Sequence, residues 1–148
     1  MNTLEINKYL RNFSQFKGTY PKDLLPKIYG LPIGIVINTD SCDKPGEHWV
    51  AVYIDRNGLG EYFDSFGLPP LHKEITDFMH ENCPQGWLYN TITFQGIYSQ
   101  TCGNYCVLYL SSKFKGLSFN EFSAIFNHST DLNDKLAKIL YKDHLWSN

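Results

Sequence analysis

The 148-residue sequence holds no CxxC pair and no cluster of Cys and His at zinc-ligand spacing, so neither a zinc ribbon nor a thioredoxin-like redox motif is expected. No apolar run reaches the roughly 18 residues of a membrane span, and no membrane partner is expected. The opening Met1-Asn-Thr-Leu-Glu-Ile lacks the basic and apolar regions of a secretory signal. An intracellular, reducing setting follows as the expectation, with Cys42, Cys83, Cys102 and Cys106 as free thiols. Basic excess is missing too: the formal net charge is −2, which argues against a strong electrostatic hold on nucleic acid. Internal repeats, low-complexity tracts and long linkers are absent. One domain spanning 1–148 and a monomeric state are the expectations at this size.

Hydrophobic residues make up 43% and charged residues 19%, as in an ordinary globular chain, whereas aromatics at 16% are abundant enough to suggest flat packing faces or a substrate groove. Residues 2–12 carry Leu4, Ile6, Leu10 and Phe13 and predict a short helix. Residues 18–26 read as irregular, because Pro21 and Pro26 limit helix. The β-branched run at 34–38 predicts a buried strand, and 40–47, with Pro45-Gly46, a loop that delivers His48.

Residues 49–54 and 60–66 predict two antiparallel strands around an Asn57-Gly58 turn. Pairing of this kind brings His48, at the start of the first strand, towards Asp64 at the end of the second. A two-residue turn sets Ala51 opposite Asp64; a wider one sets His48 there. Pro69-Pro70 opens a helix through about His80 with Leu71, Ile75, Phe78 and Met79 as its apolar stripe. Residues 87–94 predict a further strand, 102–113 a central helix, and 118–127 and 131–142 two more helices capped by Ser118 and Asp131. Helices at both ends of a short run of strands define an α+β chain.

The densest chemical signal is Gln95-Gly-Ile-Tyr-Ser-Gln-Thr-Cys102-Gly-Asn-Tyr-Cys106, together with His48-Trp49 and Asp64. A cysteine nucleophile needs a base, a group that orients the base, and donors for a developing oxyanion. Cys102, His48, Asp64 and Gln95 supply these roles. Cys102 opens an apolar helix, where free N–H groups and the helix dipole favour a thiolate, and Gly103 leaves room for a carbonyl. His48 titrates near neutrality as a base should. His72, His80, His128 and His144 fall on helix-like segments and are expected to be solvated. Gln100 competes with Gln95 as amide donor. Cys106, one turn after Cys102, is expected to be a packed small residue. Trp49 is either a core aromatic or one wall of a narrow channel. A cysteine hydrolase is the expectation.

The same residues resemble the adenovirus maturation protease family, adenain. The likeness rests on His48-Trp49, on Tyr62-Phe63-Asp64-Ser65-Phe66-Gly67, on Gln95-Gly and Cys102-Gly103, and on two upstream matches, Phe16-x-Gly18-Thr19-Tyr20 and Ile35-Val-Ile-Asn-Thr39. It covers roughly residues 10–112. Asp64 departs from adenain, which carries Glu there; Asp in Tyr-x-Asp-Ser-x-Gly resembles the SUMO-specific proteases, which share the order His, Asp, Gln, Cys. The resemblance implies a papain-like fold with a small central mixed sheet flanked by helices and Cys102 at the N-terminus of the central helix. It implies a cysteine endopeptidase that cleaves viral or virus-like precursors, such as capsid proteins, at glycine-containing sites, in the host nucleus or virion. Trp49 and Gly103 would then bound the substrate channel. No cofactor or metal is required, although an activating peptide, disulfide-linked near Cys83, is a partner known for adenain. A ubiquitin-like-modifier isopeptidase and a catalytically silent binding domain of the same fold are the rival readings.

Overall fold

The computed structural model describes residues 1–43 and 48–142. The expected loop at Pro45-Gly46 and His144 lie outside the described residues. Five strands form one mixed sheet in sequential order: β1 (Phe16–Pro21), β2 (Ile33–Asn38), β3 (Trp49–Ile54), β4 (Gly60–Phe63) and β5 (Trp87–Tyr89). The β1–β2 and β4–β5 pairs are parallel; the two central pairings are antiparallel. Strands β2 and β3 are covered on both faces, which is why β2 is apolar from Ile33 to Ile37. On β3, Trp49, Ala51 and Tyr53 face one core and Val50, Val52 and Ile54 the other.

Helices α1 (Thr3–Leu10), α3 (Cys102–Phe114), α4 (Phe119–Ser123) and α5 (Thr130–Lys142) pack on the first face, and α2 (Lys73–Asn82) on the second. The central helix α3 buries Gly103 and Tyr105 through Ser112, so it is apolar nearly all round, as a helix enclosed by other elements must be. It lies close on the sheet: a Cβ on Gly34 would come within 2.6 Å of the Phe114 ring and 2.9 Å of Leu110. Asn2 and Ser118 each close a capping box, on α1 and α4.

Several expectations need correction, among them the cap of the last helix: α5 begins at Thr130, so Asp131 lies inside its first turn and Ser129 Oγ accepts from the Leu132 N–H at 3.3 Å. Residues 16–21, read mainly as irregular, form edge strand β1; Gly18, with φ at +111°, lets the chain slip register between Phe16 and Thr19, and Pro21 is tolerated at an edge. Helix α2 starts at Lys73 rather than at the prolines: a following Pro keeps Leu68 and Pro69 out of the helical region, and His72 is extended at the N-cap. Leu71 is thereby left 75% exposed, outside the apolar stripe.

Strand β5 ends at Tyr89 because the Asn90 side chain takes over the role of a ladder partner. Its Oδ1 accepts from the Asp64 N–H at 2.9 Å and its Nδ2 donates to the Asp64 carbonyl at 2.7 Å. The β3–β4 turn adopts neither expected register. Asp55 N–H donates to the Leu59 carbonyl, Gly58 N–H to the Asp55 carbonyl, and Gly58 has φ at +88°: a three-residue turn that sets Ala51 opposite Phe63. His48 thus sits immediately before β3 and Asp64 immediately after β4.

Candidate active site

Cys102 is the first residue of α3 and half-buried, while Cys106 one turn later is fully enclosed. Strand ends bring the other two groups to it. The His48 ring sets Nε2 2.9 Å from Asp64 Oδ1, and both side chains are largely sheltered, at 16% and 7% exposed. His48 also lies close enough to the Cys102 side chain for each to act on the other's charge. One face of the imidazole lies on Phe66, with ring centroids 4.9 Å apart and planes 23° from parallel. The acid and the base are therefore joined directly, and the thiol stands beside the base.

Electrostatics follow from this placement. Burial of the His48 ring works against its charge, but the hydrogen bonds and charges of Asp64 and Cys102 outweigh it, and His48 is pushed up to about 9. Burial likewise opposes a thiolate at Cys102, yet the His48 hydrogen bond, the Trp49 and Gly103 backbone N–H groups and the imidazolium charge bring it below the ordinary thiol value. The base is raised and the acid lowered, so both shifts favour the thiolate–imidazolium pair over the neutral pair. The other buried thiols move the opposite way: burial raises Cys106 strongly, and burial with the charge of Asp55 pushes Cys83 up to about 11.

Asp64 is held from three sides. Its Oδ1 accepts from the Phe66 N–H at 2.8 Å as well as from His48, and Asn90 grips its backbone on both polar atoms. Asn90, 6% exposed, and Phe66 went unassigned in the sequence. Phe66 lay within a motif already singled out, whereas Asn90 looked like one polar step of an alternating strand.

Gln95 is 1% exposed and fixed at both ends. Its Oε1 accepts from the Ser65 hydroxyl and its Nε2 donates to the Ser99 carbonyl at 2.9 Å. The amide donor expected to face an oxyanion is thus directed at the loop 96–101. Trp49 donates from Nε1 to the Met1 carbonyl at 3.0 Å and packs against the core, as the first of its two expected readings has it. A Cβ built on Gly103 would meet Met1 at 3.0 Å and Trp49 Cδ1 at 3.3 Å, so Gly103 lets the start of α3 pack closely on both. Cys83 is 5% exposed in the α2 core, and a buried, protonated thiol is a poor partner for disulfide exchange. His80 and His128 are exposed as expected, while His72 is partly buried, with Nδ1 3.2 Å from Lys22 Nζ.

A thiol on a helix N-terminus, faced by a histidine that an acid orients from neighbouring strand ends, is the constellation of a cysteine hydrolase. Comparison with known proteins gives the same class. The chain is 31% identical over 99 residues to a cysteine protease of African swine fever virus (isolate Tick/Malawi/Lil 20-1/1983), a match covering 60% of this chain and 36% of the viral protein. It is 29% identical over 99 residues to a protein named SUMO-1 cysteine protease from the Pig/Kenya/KEN-50/1950 isolate, with the same coverage. The chain thus spans about a third of the length of these relatives. Among solved structures, the crystal structure of the African swine fever virus pS273R protease superposes with a TM-score of 0.55 at 29% identity, over 76% of this chain and 42% of that one. The central domain of an uncharacterized Legionella pneumophila protein gives the same TM-score at 14% identity, over 97% and 94% of the two chains, a likeness of fold alone. No protein-family model matches the sequence.

Proposed function

We propose that the chain is a cysteine endopeptidase. The observation that carries this reading is His48 bound to the Asp64 carboxylate at 2.9 Å beside the Cys102 thiol, which opens α3. Cys102 attacks the peptide carbonyl as the thiolate, its proton having passed to His48; its sulfur–carbon bond forms as the carbonyl electrons move to oxygen. The tetrahedral species collapses, and His48 gives its proton to the departing amine. Water then adds to the thioester with His48 as base, and the acid product leaves. Asp64 keeps the ring oriented and offsets its charge throughout, as in the serine protease triad. The oxyanion is met by the Cys102 backbone N–H and by Gln95 Nε2, once that amide turns from the Ser99 carbonyl to the substrate.

In this reading Trp49 and Gly103 bound a narrow channel that favours a glycine before the scissile bond, which their close packing supports. The substrates in this reading are precursor polypeptides of a virus or virus-like element, cleaved inside the host cell or virion by a monomeric enzyme. Activation by a peptide linked through Cys83 gains no support from that buried thiol. The test is hydrolysis of fluorogenic peptides ending in Gly-Gly, with Cys102→Ala as control; full turnover in that variant would exclude the mechanism.

A second reading, a protease for ubiquitin-like modifiers, is favoured by the name of the second viral relative and by Asp rather than Glu at position 64. Cleavage of a modifier–fluorophore conjugate far faster than of its terminal peptide would select it.

A further inference from the structure

The loop between Gln95 and Cys102 is held by a helix that plays no part in the chemistry. Asp134, on the second turn of α5, is 9% exposed and turns both carboxylate oxygens into the fold. Its Oδ2 accepts from the Gly96 N–H at 3.1 Å, directly after Gln95. Its Oδ1 accepts from the Thr101 hydroxyl at 3.0 Å, directly before Cys102, and from the Tyr105 hydroxyl at 2.8 Å, one turn into α3. One carboxylate therefore ties both ends of the six-residue connection to a common point. The neighbouring Asn133, 1% exposed, holds the Phe94 carbonyl at 3.2 Å and the Asn127 carbonyl at 2.8 Å from Nδ2, fixing the approach to Gln95. Between these anchors the loop is closed on itself, since Ser99 N–H donates to the Gly96 carbonyl and Thr101 N–H to Ser99 Oγ. Its outward side chains, Ile97 and Tyr98, are 75% and 95% exposed and give it no hold on the core.

We infer that Asp134 is a positioning residue for the reaction proposed above: through Gly96 and Thr101 it fixes the separation of the amide donor Gln95 from the nucleophile Cys102. The inference rests on the protease reading. A charge-assisted acceptor shared by three donors is a stiff clamp, and oxyanion donors act only within a few tenths of an ångström of their working position. The groups that activate Cys102, namely His48 and the Trp49 and Gly103 N–H groups, do not touch Asp134. Loss of the clamp should therefore reach the oxyanion step and spare the thiolate.

The experiment compares wild type with Asp134→Ala, Asp134→Asn and Thr101→Val. It measures kcat and KM on a Gly-Gly fluorogenic peptide and, separately, the rate of Cys102 alkylation by iodoacetamide between pH 5 and 9. Asp134→Ala should lose about 10- to 100-fold in kcat, below the 10²–10³ of deleting a donor outright, with KM and the alkylation profile changed less than about threefold. Asp134→Asn should recover most of the loss, because its amide oxygen can accept from Gly96 while its NH₂ donates to the two hydroxyls, which can reverse roles. Thr101→Val, nearly isosteric, should lose an intermediate share and stands in if Asp134→Ala does not fold. Wild-type kcat in folded Asp134→Ala, or in Thr101→Val if Asp134→Ala does not fold, overturns the inference, as does a parallel fall in kcat and alkylation rate. A wild-type protein with reactive Cys102 and no turnover overturns the protease reading and this one together.

Discussion

Replacing Asp64 by Asn removes a charge while keeping an oxygen where His48 Nε2 and the Phe66 N–H can still donate, at 2.9 and 2.8 Å in the native site. The variant thus separates electrostatics from orientation. His48 rises from 6.5 to about 9 despite burial, which at 1.36 kcal/mol per pH unit corresponds to about 3 kcal/mol in favour of the imidazolium. Asp64 and Cys102 share the credit. If Asp64 supplies about half, its charge stabilises the ion pair by about 1.5–2 kcal/mol, or roughly 10- to 30-fold in population.

The sign is fixed by the direction of each shift. Cys102 is lowered, so the thiolate is present above a limb lying below the ordinary thiol value; His48 is raised, so the proton for the leaving amine is lost above about 9. Wild-type kcat/KM should be bell-shaped between those limits. In Asp64→Asn the alkaline limb should move down towards neutrality, and both kcat/KM and Cys102 alkylation at pH 7 should fall about 10- to 100-fold. Asp64→Ala, which also leaves Nε2 unpaired, should fall further. The assay is initial-rate hydrolysis against pH, with alkylation followed by peptide mapping. Superimposable pH profiles for Asp64→Asn and wild type would refute the coupling of Asp64 to the ion pair.

Three more outcomes are expected. Iodoacetamide near neutral pH should label Cys102 first, the exposed Cys42 next, and the buried Cys83 and Cys106 last, an order that peptide mapping reads directly. A peptide library should show Gly preferred over Leu before the cut by roughly 5- to 150-fold in kcat/KM, the equivalent of about 1–3 kcal/mol of overpacking against Trp49 and Met1; equal cleavage of both would remove the narrow passage from the mechanism. Gly34→Ala should cost about 1–3 kcal/mol in denaturant unfolding, because its methyl would drive into Phe114 and Leu110, while Gly30→Ala, with open space around it, should be close to neutral.

What could be read from the residues alone was whatever local pattern dictates. The apolar run after Cys102, the β-branched run at 34–38 and the Asn57-Gly58 turn gave the central helix, strand β2 and the β3–β4 hairpin. The chemistry-bearing residues came forward because His, Asp, Gln and Cys, in that order along the chain, have few structural reasons to share a pattern. Strand β1 was hidden because its partner, β2, lies twelve residues on in a parallel pairing, and its own residues show no alternation. The early end of β5 depended on a side chain, Asn90, replacing a strand, which composition does not signal. The orientation of the Gln95 amide depended on the carbonyl of Ser99. Asn133 and Asp134 read as ordinary polar positions of an amphipathic helix; only the packing of α5 against the site loop turns them inward.

The turn at 55–59 lies roughly 20 Å along the strands from His48 and holds no reactive group. Yet it counts out the two strands whose far ends carry the base and the acid. One residue added to or removed from it would slide Asp64 by a full step and turn the side chains of β4 to the opposite face. Length variation in this chain is therefore not free wherever the surface is exposed. Solvent-facing segments that do not set a strand register can lengthen at little cost to the site, whereas this distant hairpin tip must keep its residue count for a hydrogen bond at the other end of the sheet.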